Sequence, residues 1–274
     1  MAHRPNRKLV ALITGASSGM GRNIALAMLK EGYMVYGAAR RLERMEGIVT
    51  EGGHALGMDV TDQASVKAGV DQLIEEQGHI DILVNAAGYG QYGAIEDVPL
   101  ADAHRQLEIN LFGCARLIQM VLPHMRAQKF GKIFNITSVG GKIYTPMGGW
   151  YHTSKFAVEG YSDVLRLEVK PFGIDVVVIE PGTIDSEWAG IAIREAERLS
   201  GKGAYRGLLE KYVKIQKSVK GSPPNVISDL ILKALSARRP KTRYHAGQLA
   251  GPILFLRRHL PDRMFDRLVM SSFR

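Results

Sequence analysis

The chain is poor in cysteine and has no long apolar run, no internal repeat and no low-complexity stretch. A single cysteine, Cys114, excludes an internal disulfide and a cysteine-rich zinc site, so no metal and a reducing, cytoplasmic setting are expected. No apolar stretch approaches the roughly 20 residues that cross a bilayer. The basic start, Met1 to Lys8, leads into a short apolar run, Leu9–Ile13, too brief for the core of a secretion signal. With 46% hydrophobic and 23% charged residues among 274, nothing supports wholesale disorder. A soluble globular chain is the expectation.

What is present in excess is positive charge, and it is unevenly placed. The chain carries +9 overall. From Arg238 to Arg274 there are nine basic residues and two acidic ones, Asp262 and Asp266, so the tail holds +7 and the remainder only +2. Nucleic-acid proteins spread such an excess over a groove-facing surface with interleaved aromatics, so no nucleic-acid partner is expected. The tail beyond Gly251, broken at Pro261, reads as two short amphipathic helices. They are expected to pack on the protein's own fold; a subunit interface and peripheral contact with an anionic membrane are the other readings.

Short apolar runs alternate with helical stretches along the rest of the chain. The runs are Leu9–Ile13, Met34–Ala38, Ala55–Met58, Ile80–Val84, Lys132–Thr137 and Ile174–Ile179. Between them Asn23–Lys30, Asp62–Gln77, Leu107–Ala127 and Tyr151–Lys170 are apolar at helical spacing. This rhythm predicts an α/β fold, a doubly wound parallel sheet of Rossmann type with helices on both faces. One catalytic domain is expected over 1–250, including a mobile helical insertion at 183–222, followed by the basic extension 251–274. Val226–Ala237 reads as a covering helix and Thr242–His245 as a last short strand.

The first strand runs into Thr14-Gly15-Ala16-Ser17-Ser18-Gly19-Met20-Gly21. Glycines there allow a sharp turn, close approach of a pyrophosphate and tight helix packing, while the new helix offers free N–H groups and a positive dipole end. A glycine-rich turn without ligand is the alternative. At the end of the second strand, NAD-selective enzymes place an acid against the ribose 2′-hydroxyl. Here the chain reads Ala39-Arg40-Arg41, with two guanidiniums that can clamp a 2′-phosphate, so NADP(H) is the expected cofactor. The alternative is that Arg40 and Arg41 simply begin an exposed helix.

Tyr151 and Lys155 lie four residues apart on one helix face, and Ser138 follows a predicted strand thirteen residues before Tyr151. A neighbouring ammonium favours the phenolate, which would let Tyr151 exchange a proton with a carbonyl oxygen as hydride reaches the carbon. A Tyr-x-x-x-Lys pair alone is a weak signal; the company it keeps makes it specific. Thr14-Gly15…Gly19…Gly21, Asp59-Val60, Asn85-Ala86-Ala87-Gly88, Asn110, Ser138, Tyr151…Lys155 and Pro181-Gly182 stand in one order over about residues 8–190. In that order they resemble the short-chain dehydrogenase/reductase family in its single-domain form.

The resemblance implies that Tyr151 is the proton donor, Ser138 the substrate-orienting hydroxyl, and Asn110 the holder of a relay water. It implies that Lys155 lowers the tyrosine pKa and, with Tyr151, meets the nicotinamide ribose. The cofactor would further be held by Gly15, Ser17, Ser18, Gly19, Met20 and Gly21 at the phosphates. Asp59 and Val60 would meet the adenine, and Asn85, Ala86, Ala87 and Gly88 the adenosine ribose. Pro181, Gly182, Ile184 and Ser186 would lie beside the nicotinamide, with the Ile184 backbone facing its carboxamide. Two positions depart from the pattern: Ala86 replaces a common second asparagine, and Ser186 a common threonine. Leu107–Ala127 and Tyr151–Lys170 would supply the faces of a homodimer or homotetramer.

The apolar segment Ile143–Trp150, with Trp188, Ile191 and Ile193, is expected to line the substrate side, or else to be ordinary packing. Together with the long C-terminal extension, similar to the subgroup of 17β-hydroxysteroid and retinol dehydrogenases, it points to a lipophilic carbonyl/alcohol pair of steroid or retinoid type. A small carbonyl compound and a catalytically silent NADPH-sensing module remain as alternatives. An epimerase of nucleotide sugars is disfavoured by Arg40 and by the short stretch after Gly182.

Overall fold

Val10, Ala11, Leu12, Ile13 and Thr14 are all buried, so this apolar segment is a strand that requires cover on both faces. The computed structural model describes residues 7–273; Met1–Asn6 of the basic start and Arg274 of the tail lie outside the described residues. The strands are β1 (Val10–Thr14), β2 (Met34–Ala39), β3 (His54–Gly57), β4 (Ile82–Asn85), β5 (Gly131–Ile136), β6 (Ile174–Pro181) and β7 (Arg243–Ala246). They form one parallel sheet in the order β3-β2-β1-β4-β5-β6-β7. The chain winds outwards from β1 in one direction and from β4 in the other, which opens a crevice between their carboxyl ends. This is the doubly wound sheet expected from the alternating runs.

The helices follow as α1 (Gly19–Lys30), α2 (Glu46–Thr50), α3 (Gln63–Gln77), α4 (Leu100–Leu107), α5 (Gly113–Ala127) and α6 (Gly149–Val169). Beyond β6 come α7 (Glu187–Ser200), α8 (Arg206–Ser218), α9 (Asn225–Ser236), α10 (Ala250–His259) and α11 (Asp262–Ser271). Alternation along β1 divides the core. Ala11 and Ile13 pack with Ile24 and Met28 of α1 and Ile231 of α9. Val10 and Leu12 pack with Val70 of α3 and with Leu117 and Val121 of α5.

Two helix boundaries differ from the expectation. α1 begins at Gly19 rather than Asn23, because the glycine turn itself supplies the first helical turn. The helix expected from Leu107 is the second half of a longer one: α4 passes through a π turn, Glu108–Phe112, into α5. Only Ala103 and Gln106 of α4 are buried, so its apolar period is too faint to read. The π turn carries Asn110, and such insertions concentrate at functional sites. The insertion after Gly182 is α7 and α8, and its two ends are joined where Asp185 N–H donates to Ser222 O at 2.8 Å and Ser222 N–H to Thr183 O at 2.9 Å.

Candidate active site

The glycine turn is shaped by three different requirements. Gly15 turns at φ +69°, and a Cβ there would stand 2.9 Å from Ala86 O. A Cβ on Gly21 would stand 2.4 Å from Gly15 O, so only glycine fits the helix–turn packing. Gly19, at φ +52°, differs: a Cβ there would meet nothing nearer than Ser186 Cβ at 3.8 Å, and so would project into the crevice. Ser18 precedes α1 without a side-chain cap, leaving the first N–H groups of the helix to an external acceptor. Uncapped amides, a positive helix end and a wall without side chains suit a pyrophosphate, so a dinucleotide fits this cradle. Across the crevice the Thr14 hydroxyl accepts from the amides of Ala86 and Ala87, each at 3.1 Å, and joins the two halves of the sheet.

No acid stands at the end of β2. Arg41 Nη2 approaches Ser17 Oγ at 3.4 Å, beside the glycine turn. Arg40 walls an open cavity of about 420 Å³ with Asp59, Thr61, Arg105 and Phe112. Asp59 closes a local turn, accepting from Thr61 N–H at 3.0 Å and Thr61 Oγ1 at 2.8 Å. Burial pushes its carboxyl pKa up, but those hydrogen bonds and the charges of Arg40 and Arg105 together bring it below the ordinary range. Val60 packs beneath the start of α5, where a Cβ on Gly113 would stand 2.8 Å away. Asn85 donates to Asn135 Oδ1 at 2.9 Å, and a Cβ on Gly88 would crowd Asn110 Oδ1 at 3.1 Å.

β5 delivers Ser138 to the carboxyl edge. Ser138 Oγ accepts from Gly140 N–H at 3.0 Å, donates to Pro181 O at 3.4 Å, and lies near enough to the Tyr151 phenol to favour its ionised form. Tyr151 is only 7% exposed. Burial pushes its phenol up to about 12, with the Ser138 hydrogen bond opposing. Lys155 Nζ donates to Ile136 O at 2.9 Å and stands 6.0 Å from the Tyr151 ring centre. Its ammonium is pushed down to about 8 by burial, against the pull of Cys114 and Glu159.

The expected lowering of the tyrosine pKa by Lys155 is therefore not found in the protein alone. Burial raises the phenol, and the Lys155 ammonium directs its hydrogen bond at the main chain instead of at the phenol oxygen. A protonated phenol at neutral pH is nevertheless the form that gives a proton to a carbonyl oxygen.

Asn110 has its side-chain amide fully engaged. Oδ1 accepts from Tyr89 N–H at 3.1 Å, and Nδ2 donates to Tyr89 O and to Ser154 Oγ, each at 3.0 Å. Its side chain thus clamps the loop after β4 to α6. Gln106, fully buried one turn earlier, ties the same loop to α4 by donating to Tyr89 O at 2.8 Å. Gln106 and Ser154 were not legible as site residues, since a lone glutamine or serine in a helical run carries no spacing signal. Behind Ser138, Thr137 Oγ1 donates to buried Glu159 at 2.7 Å, and Glu159 pairs with Lys142 at 2.9 Å and Arg243 at 3.0 Å.

α7 and α8 roof the tyrosine. Trp188 lies 5.1 Å from the Tyr151 ring, Tyr92 lies 5.5 Å from it, and Tyr212 stacks on Tyr92 at 5.2 Å. Met147 joins this cluster, and Ile193 packs against it. The rest of the Ile143–Trp150 segment divides its faces: Tyr144 and Pro146 instead wall an apolar groove of about 770 Å³ with Phe156, Val269 and Met270. Ile191 is exposed. Ser186 caps α7, accepting from Trp188 N–H at 3.4 Å and lying over Gly19. Pro181 ends β6, and a Cβ on Gly182 would stand 2.4 Å from Gln248 O, so the following crossing demands glycine. Ile184 bridges to Ser222.

A family model described as short chain dehydrogenase matches residues 9–196. The 3-ketodihydrosphingosine reductase of Bacteroides thetaiotaomicron is 37% identical over 262 residues, covering 94% of this chain and 95% of that protein. The NADPH-dependent 3-dehydrocapnine reductase of Ornithobacterium rhinotracheale is 33% identical over 280 residues, covering 96% and 97%. A solved short-chain dehydrogenase from Streptomyces avermitilis superposes with a TM-score of 0.80 at 29% identity over 97% of each chain. Family match, sheet order and the grouping of Ser138, Tyr151 and Lys155 agree, and the chain belongs to the short-chain dehydrogenase/reductase family of oxidoreductases.

Proposed function

We propose that this protein is an NADPH-dependent reductase of a lipophilic ketone or aldehyde, able to run in reverse as an alcohol dehydrogenase. The observation that carries the proposal is the grouping of Ser138, the buried Tyr151 phenol and Lys155 at the carboxyl edge of the sheet that also carries the glycine cradle. When bound, the nicotinamide supplies the hydride. Ser138 orients the substrate oxygen, and Tyr151 gives its proton to that oxygen as negative charge develops there. Lys155, fixed by its hydrogen bond to Ile136 O, holds the cofactor ribose. Trp188 and Tyr92 exclude water from the phenol.

Preference for NADPH is supported by Arg40 and Arg41 at an acid-free strand end and by the Arg41–Ser17 contact. A relative named as NADPH-dependent agrees with it. A lipophilic substrate is supported by the aromatic and methionine surface around Tyr151 and by relatives named as reductases of 3-ketodihydrosphingosine and 3-dehydrocapnine. A homodimer or homotetramer through α5 and α6 fits the exposed Phe156, Val164 and Leu167 of α6.

The test is NADPH and NADH oxidation by the purified protein over 3-ketodihydrosphingosine, a steroid ketone, retinal and a short aliphatic ketone. NADPH oxidation, fastest with the long or bulky substrates, is expected. Tight NADPH binding in a fluorescence titration with no turnover of any of them would instead make the protein a nucleotide sensor.

A further inference from the structure

The C-terminal pair of helices uses only part of its surface on the protein. Phe265 and Val269 of α11, and Phe273 just beyond its end, follow one another at four-residue spacing and face inwards, Phe265 fully buried. The two acids of the tail, though exposed, are paired next to that side: Asp266 accepts from the Tyr144 hydroxyl at 2.9 Å, and Asp262 pairs with Arg257 at 2.9 Å. Arg257 is itself drawn in, stacked over Tyr144 at 5.5 Å and Phe265 at 5.3 Å. Arg243 is likewise consumed internally by Glu159 and Asp163.

The opposite face of α11 carries Arg263, Arg267, Met264 and Leu268 and no acid. Met264 is 51% and Leu268 37% exposed. α10 adds Arg258 and, one turn before it, Phe255 at 63% exposure. Among the described residues, none of these three arginines has an ion-pair partner. With both acids already paired to Arg257 and Tyr144, the opposite face keeps unpaired guanidiniums and large apolar side chains, on a tail that holds most of the protein's net charge.

We propose that the outward face of α10 and α11 docks the protein on an anionic lipid surface, with Phe255, Met264 and Leu268 entering the interface and Arg258, Arg263 and Arg267 meeting lipid phosphates. Charge complementarity selects this occupant: an apolar protein partner would gain nothing from three exposed cations, whereas each is attracted to the phosphates of an anionic bilayer. The docking face is separate from the crevice at β1 and β4 and does not depend on turnover.

The full-length protein is sedimented with vesicles of phosphatidylcholine alone and of phosphatidylcholine with roughly one third phosphatidylglycerol. Binding to the anionic vesicles only, released by high salt, is expected. The combined Arg258→Gln, Arg263→Gln, Arg267→Gln variant should bind about 100-fold more weakly, while its thermal melting and its NADPH affinity stay unchanged. Phe255→Ser with Met264→Ser should also weaken binding without altering its salt dependence. Failure to sediment, equal binding to neutral vesicles, or full binding by the triple variant would overturn the proposal. So would a change of oligomeric state in the triple variant, which would assign the face to a second copy of the chain.

Discussion

Lys155 stands 6.0 Å from the centre of the Tyr151 ring with its hydrogen bond given to Ile136 O, so the two side chains share a helix face without touching through their polar ends. Burial raises the phenol to about 12 and lowers the ammonium to about 8. Tyr151→Phe should keep the fold and NADPH binding, and lower kcat by roughly 10²-fold or more. Steady-state kinetics checks it, and unimpaired turnover would remove Tyr151 from the chemistry.

Lys155 carries charge below about pH 8 and loses it above. If its charged form grips the cofactor ribose, kcat/KM for NADPH should fall as pH rises through that value, with the limb absent in Lys155→Met. A flat profile across pH 7–9 would separate this lysine from cofactor capture.

The two guanidiniums after β2 set a test of nucleotide choice. Arg40→Asp should raise KM for NADPH about 10-fold or more and leave KM for NADH nearly unchanged, since the loss is of a charge-assisted pairing to one phosphate. Parallel increases for both nucleotides would show that Arg40 does not read the 2′-position.

Glu180 is buried beside Glu159, Lys142 and Arg243, and its carboxyl is pushed up to about 7, mainly by burial and then by the charge of Glu159. Between about pH 4.5 and 7 the folded protein holds a proton that the unfolded chain has released. Stability therefore falls as pH rises through that window, and the full loss is present above it. Glu180→Gln should abolish the loss, so the variant should melt higher than the parent at pH 8, by up to about 3 kcal/mol in stability, and converge with it below pH 4.5. Melting curves at three pH values decide this; a constant offset would contradict it.

A methyl group at Gly21 would lie 2.4 Å from the Gly15 carbonyl oxygen, a contact with main chain that cannot rotate away. Gly21→Ala should cost about 1–3 kcal/mol and weaken NADPH binding more than ketone binding. Gly160→Ala on α6, where a Cβ meets nothing within 4 Å, serves as the control and should be neutral or stabilising.

The sheet, its strand ends and most of the catalytic grouping were legible because each is written in neighbouring residues. Period-two and near-continuous apolar runs report strands, and the four-residue spacing of Tyr151 and Lys155 survives in any helix. The π turn at Asn110 was not legible, since one extra residue in a helix leaves no trace in apolar spacing. Nor was the roof of Trp188, Tyr92 and Tyr212, whose members lie far apart in the chain and meet only when α7 and α8 fold back over α6.

By itself, then, the amino-acid order determined the doubly wound sheet, the glycine cradle after β1 and the placing of Tyr151 and Lys155 on one helix face, because local stereochemistry and periodicity suffice for all three. Tertiary structure alone decided how those groups are tuned and what surrounds them: that burial raises the Tyr151 phenol, that Glu180 is raised towards neutrality, and that the acids of α11 pair with Arg257 and Tyr144 while Arg263 and Arg267 stay unpaired among the described residues. Proton affinity and surface character depend on burial and on charges distant in sequence, and neither exists until the chain has packed.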